Sequence, residues 1–552
     1  MLFLLCSWAV LLGAARLAGS TALILTSSGE NLDRGCDRFF AQAWIGLFAL
    51  ASLLLALSAV GPLSATVSLV LLAAVMALCL FPRVRRDVAG TSLTAVQRAA
   101  FAIVLLGVAW DAAGPVQLYD TGLYHYQVVR WLHQAGTVPG MALLYYRLGF
   151  SSSWFALTAA LDSGPRAAAV ANSLALAIAM FHLAIAASRV LARTARKSDA
   201  YVAGALPVVI LVCVVDRWEI SPSPNLAVGL GAVMSGWAML AIRKGEGRDW
   251  NLPLLLSAGA GGVKILALPL LGAIWVLRIA AGCRSRLAVP ILATAAVILP
   301  LPIANRISSG CPFFPSPVAC AATPSSVTPA KANDVLFETT NFARYDGAYP
   351  PTASFFDGIW IRKYIHVPLD MLFAAIPMLA TAAVLAFGAL DAAYIAGAAA
   401  FTAMFIEGPS IRFLAGSVGM LLGSLLVALY CRVAPKTVPD STTTSRILPA
   451  IAVLGCAILL REGALSERNY VQRNHLPFRR VTAERLLVPQ PVPGTQAHRV
   501  RTAYEYLVPD GDDRCWALPL PCTPYPPPAE LRYCNPAEGI RAGFCLASRS
   551  AR

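Results

Sequence analysis

A short polar segment, Tyr119–Tyr126 with the sequence YDTGLYHY, interrupts a strongly apolar part of this chain. It follows an apolar stretch that ends near Asp111. The carboxylate of Asp120 and the imidazole of His125 are groups that move protons to and from a substrate hydroxyl. The phenol ring of Tyr124 offers an aromatic face on which a sugar can stack. We therefore expect chemistry at this segment, with Asp120 and His125 as its catalytic residues.

Three further places put ionisable or polar groups into apolar surroundings: Asp216–Asn225, Lys264 and Phe405–Phe413. Ionisable groups at membrane depth are costly and usually mark a substrate or ion pathway. If these segments share one face of a membrane with Asp120, they form one cavity with a base and with cations for a phosphate leaving group. The expected substrate-binding residues are Lys264, Arg412, Tyr124, Arg130, Asp111, Glu219 and Glu407.

The sequence requires no cofactor, although it leaves open a divalent metal ion, Mg²⁺ or Mn²⁺. Asn225 stands where an acidic residue would strengthen a metal site, and either Asp111 or Glu219 remains as a second carboxylate beside Asp120. No Cys-x-x-Cys or His/Cys spacing indicates zinc.

Membrane helices must hold these groups in place. The chain has 552 residues, of which 57% are hydrophobic and only 13% charged, with a mean hydropathy of +0.65. Soluble domains carry about 25% charged residues, so the composition predicts an all-α membrane protein with many spans. The net charge of +15 comes largely from short basic loops between apolar stretches. This pattern follows the positive-inside rule and does not indicate nucleic-acid binding.

The positive-inside rule also predicts the topology. Placing Arg83–Arg86 in the cytoplasm puts loop 111–164 outside, returns Arg189–Lys197 to the cytoplasm and leaves Asp216–Asn225 outside. The sequence predicts about 14 membrane segments, with both termini outside. The apolar stretches lie near residues 3–27, 40–60, 63–82, 98–115, 165–192, 200–215, 224–242, 251–280 (as a pair), 286–304, 366–388, 390–406, 413–431 and 446–461.

The stretch 251–280 decides the second half of this topology. Read as one span, it leaves the basic loop Arg278–Arg286 outside and loop 305–365 inside, which is the wrong charge pattern. Read as a helical pair broken around Gly261–Lys264, it makes the basic loop cytoplasmic. Irregular backbone at membrane depth is tolerated where it lines a cavity, so we expect a broken pair.

We divide the chain into a membrane domain, residues 1–462, and an extracytoplasmic tail domain, residues 463–552, which is rich in proline and cysteine. An even number of external cysteines predicts disulfides, which staple small extracytoplasmic domains. Sequence does not fix how six cysteines connect, and the hypothesis adopted is short-range pairing, as Cys311–Cys320, Cys515–Cys522 and Cys534–Cys545.

These motifs resemble the GT-C superfamily of membrane glycosyltransferases, which use polyprenyl-phosphate-linked sugars and hold an acidic catalytic residue in a large first external loop. The segments 119–127, 138–140, 147–154 and 513–524 more closely resemble an uncharacterised bacterial GT-C-like membrane family, over most of the chain.

The resemblance implies a GT-C-like fold, Asp120 as the general base, and Lys264 and Arg412 as the cations for the lipid phosphate. GT-C enzymes often carry paired acids in the first loop, whereas Thr121 follows Asp120 here. This departure weighs against a metal-dependent mechanism.

The expected protein is an inverting glycosyltransferase of the bacterial inner (plasma) membrane, with its active site facing the periplasm or cell exterior. It would move a sugar from a polyprenyl-phosphate donor to a cell-envelope glycan, lipid or protein. One alternative is an O-antigen-type ligase or polymerase, for which loop 305–365 and its neighbour supply Arg344, Arg362, Lys363 and His366. The other is a lipid-linked glycan transporter or flippase, which would need ionisable groups along a path across the membrane.

Overall fold

A computed structural model describes most of the chain. The described residues are 1–28, 32, 35–241, 250–283, 287–345, 349–351, 353–361, 368–386, 390–433, 441–473 and 483–547.

Helices dominate the described residues up to 473. They are α1 Leu2–Leu25, α2 Gly35–Ser58, α3 Ala65–Met76, α4 Pro82–Gly90, α5 Ala95–Ala112, α6 Tyr126–Gln134, α7 Met141–Leu144, α8 Ser153–Ala160, α9 Val170–Leu191, α10 Lys197–Asp216, α11 Pro224–Ala241, α12 Asn251–Val263, α13 Leu268–Ala280, α14 Ala288–Ile298, α15 Pro300–Ser309, α16 Pro329–Tyr345, α17 Pro368–Ala386, α18 Ala392–Glu407, α19 Ile411–Val433, α20 Ser441–Arg473 and α21 Ala483–Leu487.

Among the described residues, nine helical segments are long and apolar enough to cross a membrane, or ten if the bent pair α3–α4 counts as one span. The chain is therefore a multi-pass helical membrane protein. The pair α3–α4 bends by 87° at Phe81 and Pro82, where proline begins the second helix. The stretches predicted near 251–280, 366–388 and 390–406 contain further apolar helices that are not among these nine.

Side-chain contacts distinguish two ends of the helix bundle. At one end of α2, Asp37 lies 3.7 Å from Arg189, and Arg189 pairs with Asp199 at 2.7 Å. At the other end of α2, Ser58 hydrogen-bonds Thr137 of the loop after α6, at 2.8 Å. Helix α10 begins beside Arg189, at Asp199, and ends at Asp216, shortly before Ser221, which hydrogen-bonds Thr121. The turn that carries Asp120 therefore lies at the opposite end of the bundle from the basic region around Arg189.

Small residues allow the first two helices to cross closely. A Cβ atom built on Gly46 would lie 1.7 Å from the carbonyl oxygen of Ala15, and one on Gly19 would lie 1.9 Å from that of Gln42. Close backbone approach through small residues is a usual way for membrane helices to gain packing contacts.

The predicted break after Gly261 and Gly262 is present. Helix α12 ends at Val263, and Lys264 adopts an extended backbone (φ −152°, ψ 129°) before a short 3₁₀ turn leads into α13. The break leaves Lys264 outside the regular helical pattern, with its side chain free to reach a neighbouring element.

The C-terminal region forms two small antiparallel sheets that follow α21. Strand β1 (Ala497–Arg501) pairs with β2 (Glu505–Pro509), and β3 (Leu531–Tyr533) pairs with β4 (Phe544–Leu546). The last long helix, α20, runs past the predicted domain boundary at residue 462. The three predicted disulfides are confirmed: Cys311–Cys320, Cys515–Cys522 and Cys534–Cys545.

Candidate functional site

Asp120 lies at the start of an unusual turn. The backbone of Thr121–His125 forms one turn of π-helix that continues directly into α6. Single π-helical turns inside helices are rare and occur frequently at functional sites. The Asp120 side chain is 25% exposed, whereas Thr121 and His125 on the same turn are buried. The turn therefore presents its carboxylate to an accessible space while its other polar groups face the protein.

The guanidinium of Arg412 lies beside this carboxylate. Its Nη1 atom is 3.4 Å from Oδ2 of Asp120, and about a third of the Arg412 side chain, 32%, remains exposed. Arg412 is the second residue of α19, so the positive end of that helix dipole also points towards the carboxylate's end of the bundle. An ion pair this open leaves both groups able to contact a substrate.

Lys264 extends from the break between α12 and α13 towards the same place. Its Nζ atom donates a hydrogen bond to Oδ1 of Asn225 at 3.1 Å and lies 4.2 Å from the centre of the Phe413 ring. Phe413 directly follows Arg412 in α19. The contact with Phe413 therefore places the Lys264 ammonium group beside the helical turn that carries Arg412. The charge of Lys264 also interacts with those of Arg412 and Asp120.

The structure thus brings together one group from each of four segments that are distant in sequence. Thr121 hydrogen-bonds Ser221 at 2.7 Å, which joins the Asp120 turn to the Asp216–Asn225 segment. Asn225 contacts Lys264, and Arg412 contacts Asp120. One carboxylate, two cations and an amide therefore surround the same region, which we call the Asp120 site.

Aromatic rings form one wall of the Asp120 site. The Tyr124 ring lies 4.4 Å from the His125 ring, and the His125 ring lies 5.2 Å from that of Phe155. Burial lowers the pKa of His125 to about 4, so the imidazole is neutral near pH 7. Its Nδ1 atom has no hydrogen-bond partner among the described residues. Burial and the charge of Asp120 raise the pKa of Tyr124.

Two charged residues beside this wall were not singled out by the sequence. Arg147 lies 3.8 Å from a carboxylate oxygen of Glu338, and its guanidinium is 5.2 Å from the ring centre of Tyr146 and 6.0 Å from that of Tyr124. Its charge also interacts with Asp120. The segment that begins at Arg147 is distinctive in sequence, but nothing near Glu338, on α16, indicated that it would reach this wall.

Asp111 and Glu219, predicted to bind substrate, form a separate buried cluster. Nη1 of Arg217 lies 3.1 Å from each carboxylate oxygen of Asp111 and 3.0 Å from Oε1 of Glu219. Asp111 is 3% exposed and Glu219 is fully buried. The structure therefore encloses both acids around one arginine and away from the accessible space at Asp120.

Arg130 and Glu407 lie elsewhere. Arg130 donates hydrogen bonds to the backbone carbonyls of Ala517 and Leu518 in the C-terminal region. Glu407 is exposed at the C-terminal end of α18.

The residues of the ligase alternative are only partly described. Arg344 donates to the carbonyl of Ile406 at 2.7 Å. Arg362, Lys363 and His366 lie outside the described residues.

The donor set of the Asp120 site does not fit a divalent metal ion. Mg²⁺ and Mn²⁺ prefer several oxygen ligands, whereas Asp120 is accompanied by the cations Arg412 and Lys264. Within the described parts of the chain, no three His, Cys, Asp or Glu side chains gather closely enough to hold a metal.

These observations define a polytopic helical membrane protein with a carboxylate and two cations at one end of its bundle. The sequence profile of a family described as a domain of unknown function, DUF8201, matches residues 1–418, and the chain belongs to this family. The matched region includes Asp120, Lys264 and Arg412, while the C-terminal sheets lie outside it. No curated protein and no solved structure matches the chain.

Proposed function

We propose that the protein is a membrane glycosyltransferase that moves a sugar from a polyprenyl-phosphate donor to a cell-envelope glycan, lipid or protein. The observation that supports it is the meeting of the Asp120 carboxylate with Arg412 and Lys264 at one end of the bundle. A transfer from a lipid phosphate needs a base for the acceptor hydroxyl and positive charge for the phosphate leaving group. Both requirements are met here by residues that lie together.

In this reaction Asp120 accepts the proton of an acceptor hydroxyl as the hydroxyl oxygen attacks the anomeric carbon. The bond between that carbon and the phosphate oxygen breaks, and its electron pair leaves with the lipid phosphate. Arg412 and Lys264 stabilise the charge that develops on the phosphate, Arg412 through a bidentate fork and Lys264 as a point charge. A single direct displacement inverts the anomeric centre. No step requires a metal ion.

The ion pair between Arg412 and Asp120 has a role in this reaction. While the site is empty, the guanidinium lies against the carboxylate as its ion-pair partner. When a phosphate enters, the guanidinium turns towards the new anion, and the carboxylate becomes available to the acceptor.

The neighbouring wall suits a sugar. The rings of Tyr124 and Tyr146 lie beside Arg147, and Arg147 and Glu338 are a donor and an acceptor suited to the hydroxyl groups of a sugar. Neutral His125 packs edge-on against the Tyr124 ring and is buried, so in this proposal it supports the wall and does not itself take the acceptor's proton.

The proposal places the protein in a bacterial inner (plasma) membrane, with the Asp120 site facing the periplasm or exterior. In this GT-C-like arrangement the four shorter apolar helices also enter the membrane, giving about 14 segments. Charge distribution supports this orientation: Arg83–Arg86 and Arg189–Lys197 lie towards the end of the bundle opposite Asp120.

The test is transfer from polyprenyl-phosphate sugars by the full-length protein in nanodiscs, with the variant Asp120→Asn. Asparagine keeps the shape of the side chain but cannot accept the proton, so we expect transfer to fall by about 100- to 10,000-fold. Asp334→Asn, at an exposed position on α16, is the matched control and keeps wild-type activity. Full activity in a folded Asp120→Asn protein would refute the assignment of the base.

A further inference from the structure

The C-terminal region contacts the turn that carries Asp120 through Trp516. The Trp516 indole packs on Gly122 so closely that a Cβ atom there would lie 2.5 Å from the ring. The backbone N–H of Trp516 also donates to the carbonyl of Gly122 at 2.9 Å. Gly122 lies inside the π-helical turn, two residues after Asp120. One tryptophan therefore fixes both the backbone carbonyl and the surface of this turn.

Helix α6, into which the turn continues, is held by the same short segment. Nε2 of Gln127 donates to the carbonyls of Trp516 and Leu518, at 2.8 and 3.1 Å. Arg130 donates to the carbonyls of Ala517 and Leu518. Gln127 is 1% exposed, so these bonds are shielded from water. Three consecutive carbonyls of the C-terminal region thus accept hydrogen bonds from one face of α6.

The residue before Asp120 is held as well. The Tyr119 hydroxyl donates to the carboxylate of Asp513, and the guanidinium of Arg514 lies 5.3 Å from the ring centres of both Tyr119 and Trp516. Contacts from the C-terminal region therefore reach the chain on both sides of Asp120, at Tyr119 and at Gly122.

A disulfide closes the segment that makes these contacts. Cys515 and Cys522 are bonded, enclose Trp516–Leu518 and are each 1% exposed. A short disulfide loop restricts the conformations open to the residues inside it. The loop therefore presents its carbonyls and the Trp516 ring to the turn in a fixed arrangement.

We propose that the disulfide loop Cys515–Cys522 is part of the Asp120 site and that Trp516 is a positioning residue, which holds the π-helical turn so that Asp120 faces Arg412. The loop does not touch the reacting atoms and acts through the backbone of Gly122. The catalytic consequence rests on the proposed glycosyl transfer, whereas the structural coupling between Trp516 and the turn does not.

Hydrogen–deuterium exchange of the full chain in nanodiscs tests the coupling without any substrate. In Trp516→Ala, amides of residues 119–127 are expected to exchange about tenfold faster, because the packing of the indole on the turn is lost. The hairpin β1–β2 keeps its wild-type exchange. A control variant in that hairpin, Arg499→Ala, leaves residues 119–127 unchanged. Unchanged exchange of these residues in Trp516→Ala, or equal acceleration across the whole C-terminal region, overturns the proposal.

A double-mutant cycle distinguishes direct coupling between Trp516 and Gly122 from a general loss of the C-terminal fold. Gly122→Ala alone accelerates exchange of the turn, because its methyl group displaces the indole. In a Trp516→Ala background, Gly122→Ala adds little further change, since the obstructing ring has gone. Additive effects of the two substitutions contradict direct coupling between them. Trp516→Phe, which retains an aromatic ring to pack on the turn, restores part of the protection.

Kinetics with a polyprenyl-phosphate sugar test the catalytic consequence. Trp516→Ala lowers kcat by about 100-fold, because a small misplacement of a catalytic group has an effect of this size. The donor KM stays within about twofold, because the donor phosphate is assigned to Lys264 and Arg412 and not to Trp516. Cys515→Ser/Cys522→Ser has the same effect, whereas Cys534→Ser/Cys545→Ser in the neighbouring sheet has a smaller one. A rise in KM with kcat unchanged overturns the positioning role. If the wild type transfers no sugar, the proposed function fails, and the exchange experiment still decides the coupling.

Discussion

The guanidinium of Arg412 lies 3.4 Å from a carboxylate oxygen of Asp120, although 292 residues separate them in the chain. Each belongs to a different structural element, a π-helical turn and the start of a long apolar helix. Both side chains remain partly exposed and are therefore accessible from the solvent. In the proposed function this pair joins the base to a phosphate-binding cation at one end of the bundle.

Removing the positive charge of Lys264 tests the anion-binding half of this arrangement. We expect Lys264→Met to weaken binding of farnesyl phosphate by about 10- to 100-fold, the range of a lost charge-assisted hydrogen bond. Calorimetry or tryptophan fluorescence of the protein in nanodiscs measures this affinity. Arg98→Gln, a distant and exposed position, is the control. Equal affinities for wild type and Lys264→Met would remove Lys264 from the phosphate site.

The cluster around Arg217 predicts a loss of stability. Arg217→Met leaves the buried carboxylates of Asp111 and Glu219 without their shared cation, so we expect about 3 to 5 kcal/mol of destabilisation. Arg499→Met removes an exposed pair with Glu505 and costs within about 1 kcal/mol. Unfolding by denaturing detergent compares the two variants. A stable Arg217→Met protein that no longer binds donor would return Asp111 and Glu219 to the substrate site.

The buried imidazole of His125 predicts a dependence of stability on pH. Burial lowers its pKa from 6.5 to about 4 in the folded protein. Between pH 4 and pH 6.5 the His125 imidazole is mostly protonated in the unfolded chain and mostly neutral in the folded chain. The free energy of unfolding therefore falls as the pH falls from 6.5 to 4. The loss of unfolding free energy caused by His125 reaches about 2 kcal/mol at pH 5.

The variant His125→Gln lacks this titration. Its apparent Tm is therefore expected to fall less than that of the wild type between pH 7.5 and pH 5, as measured by thermal unfolding in detergent. Parallel changes in Tm for the two proteins would show that His125 takes up its proton normally while folded.

The orientation in the membrane is tested by labelling with a membrane-impermeant maleimide. Arg499→Cys, in the C-terminal hairpin, is expected to label in intact cells. Arg83→Cys, near the opposite end of the bundle, is expected to label only after the membrane is permeabilised. The unsubstituted protein gives the background from its free cysteines. The reverse pattern would place the Asp120 site in the cytoplasm and exclude an extracytoplasmic acceptor.

Several features of the fold follow from short stretches of sequence. Continuous apolar stretches predict the long helices because each helix satisfies its own backbone hydrogen bonds. The glycines before Lys264 predict a break in the helix, and the break is present. The short-range disulfide pairs were a hypothesis that sequence could not decide, and the structure confirms them, with each pair at most 11 residues apart.

The roles of the ionisable residues depended on contacts that sequence does not reveal. Asp111, Glu219 and Asp120 all appeared as acids near the same membrane face, yet Arg217 encloses the first two, and Asp120 remains accessible. Glu338 gave no signal at all, because its partners Tyr146 and Arg147 lie almost 200 residues earlier.

The sequence alone determined that this is a helical membrane protein and where its helix breaks, since hydropathy and glycine content act locally, whereas the pairing of its cysteines was decided by the structure. Only the tertiary structure decided which carboxylate meets a cation in an accessible place and that Trp516 packs against the Asp120 turn. Those contacts arise from packing between distant helices and a C-terminal loop, whose relative positions depend on the whole fold.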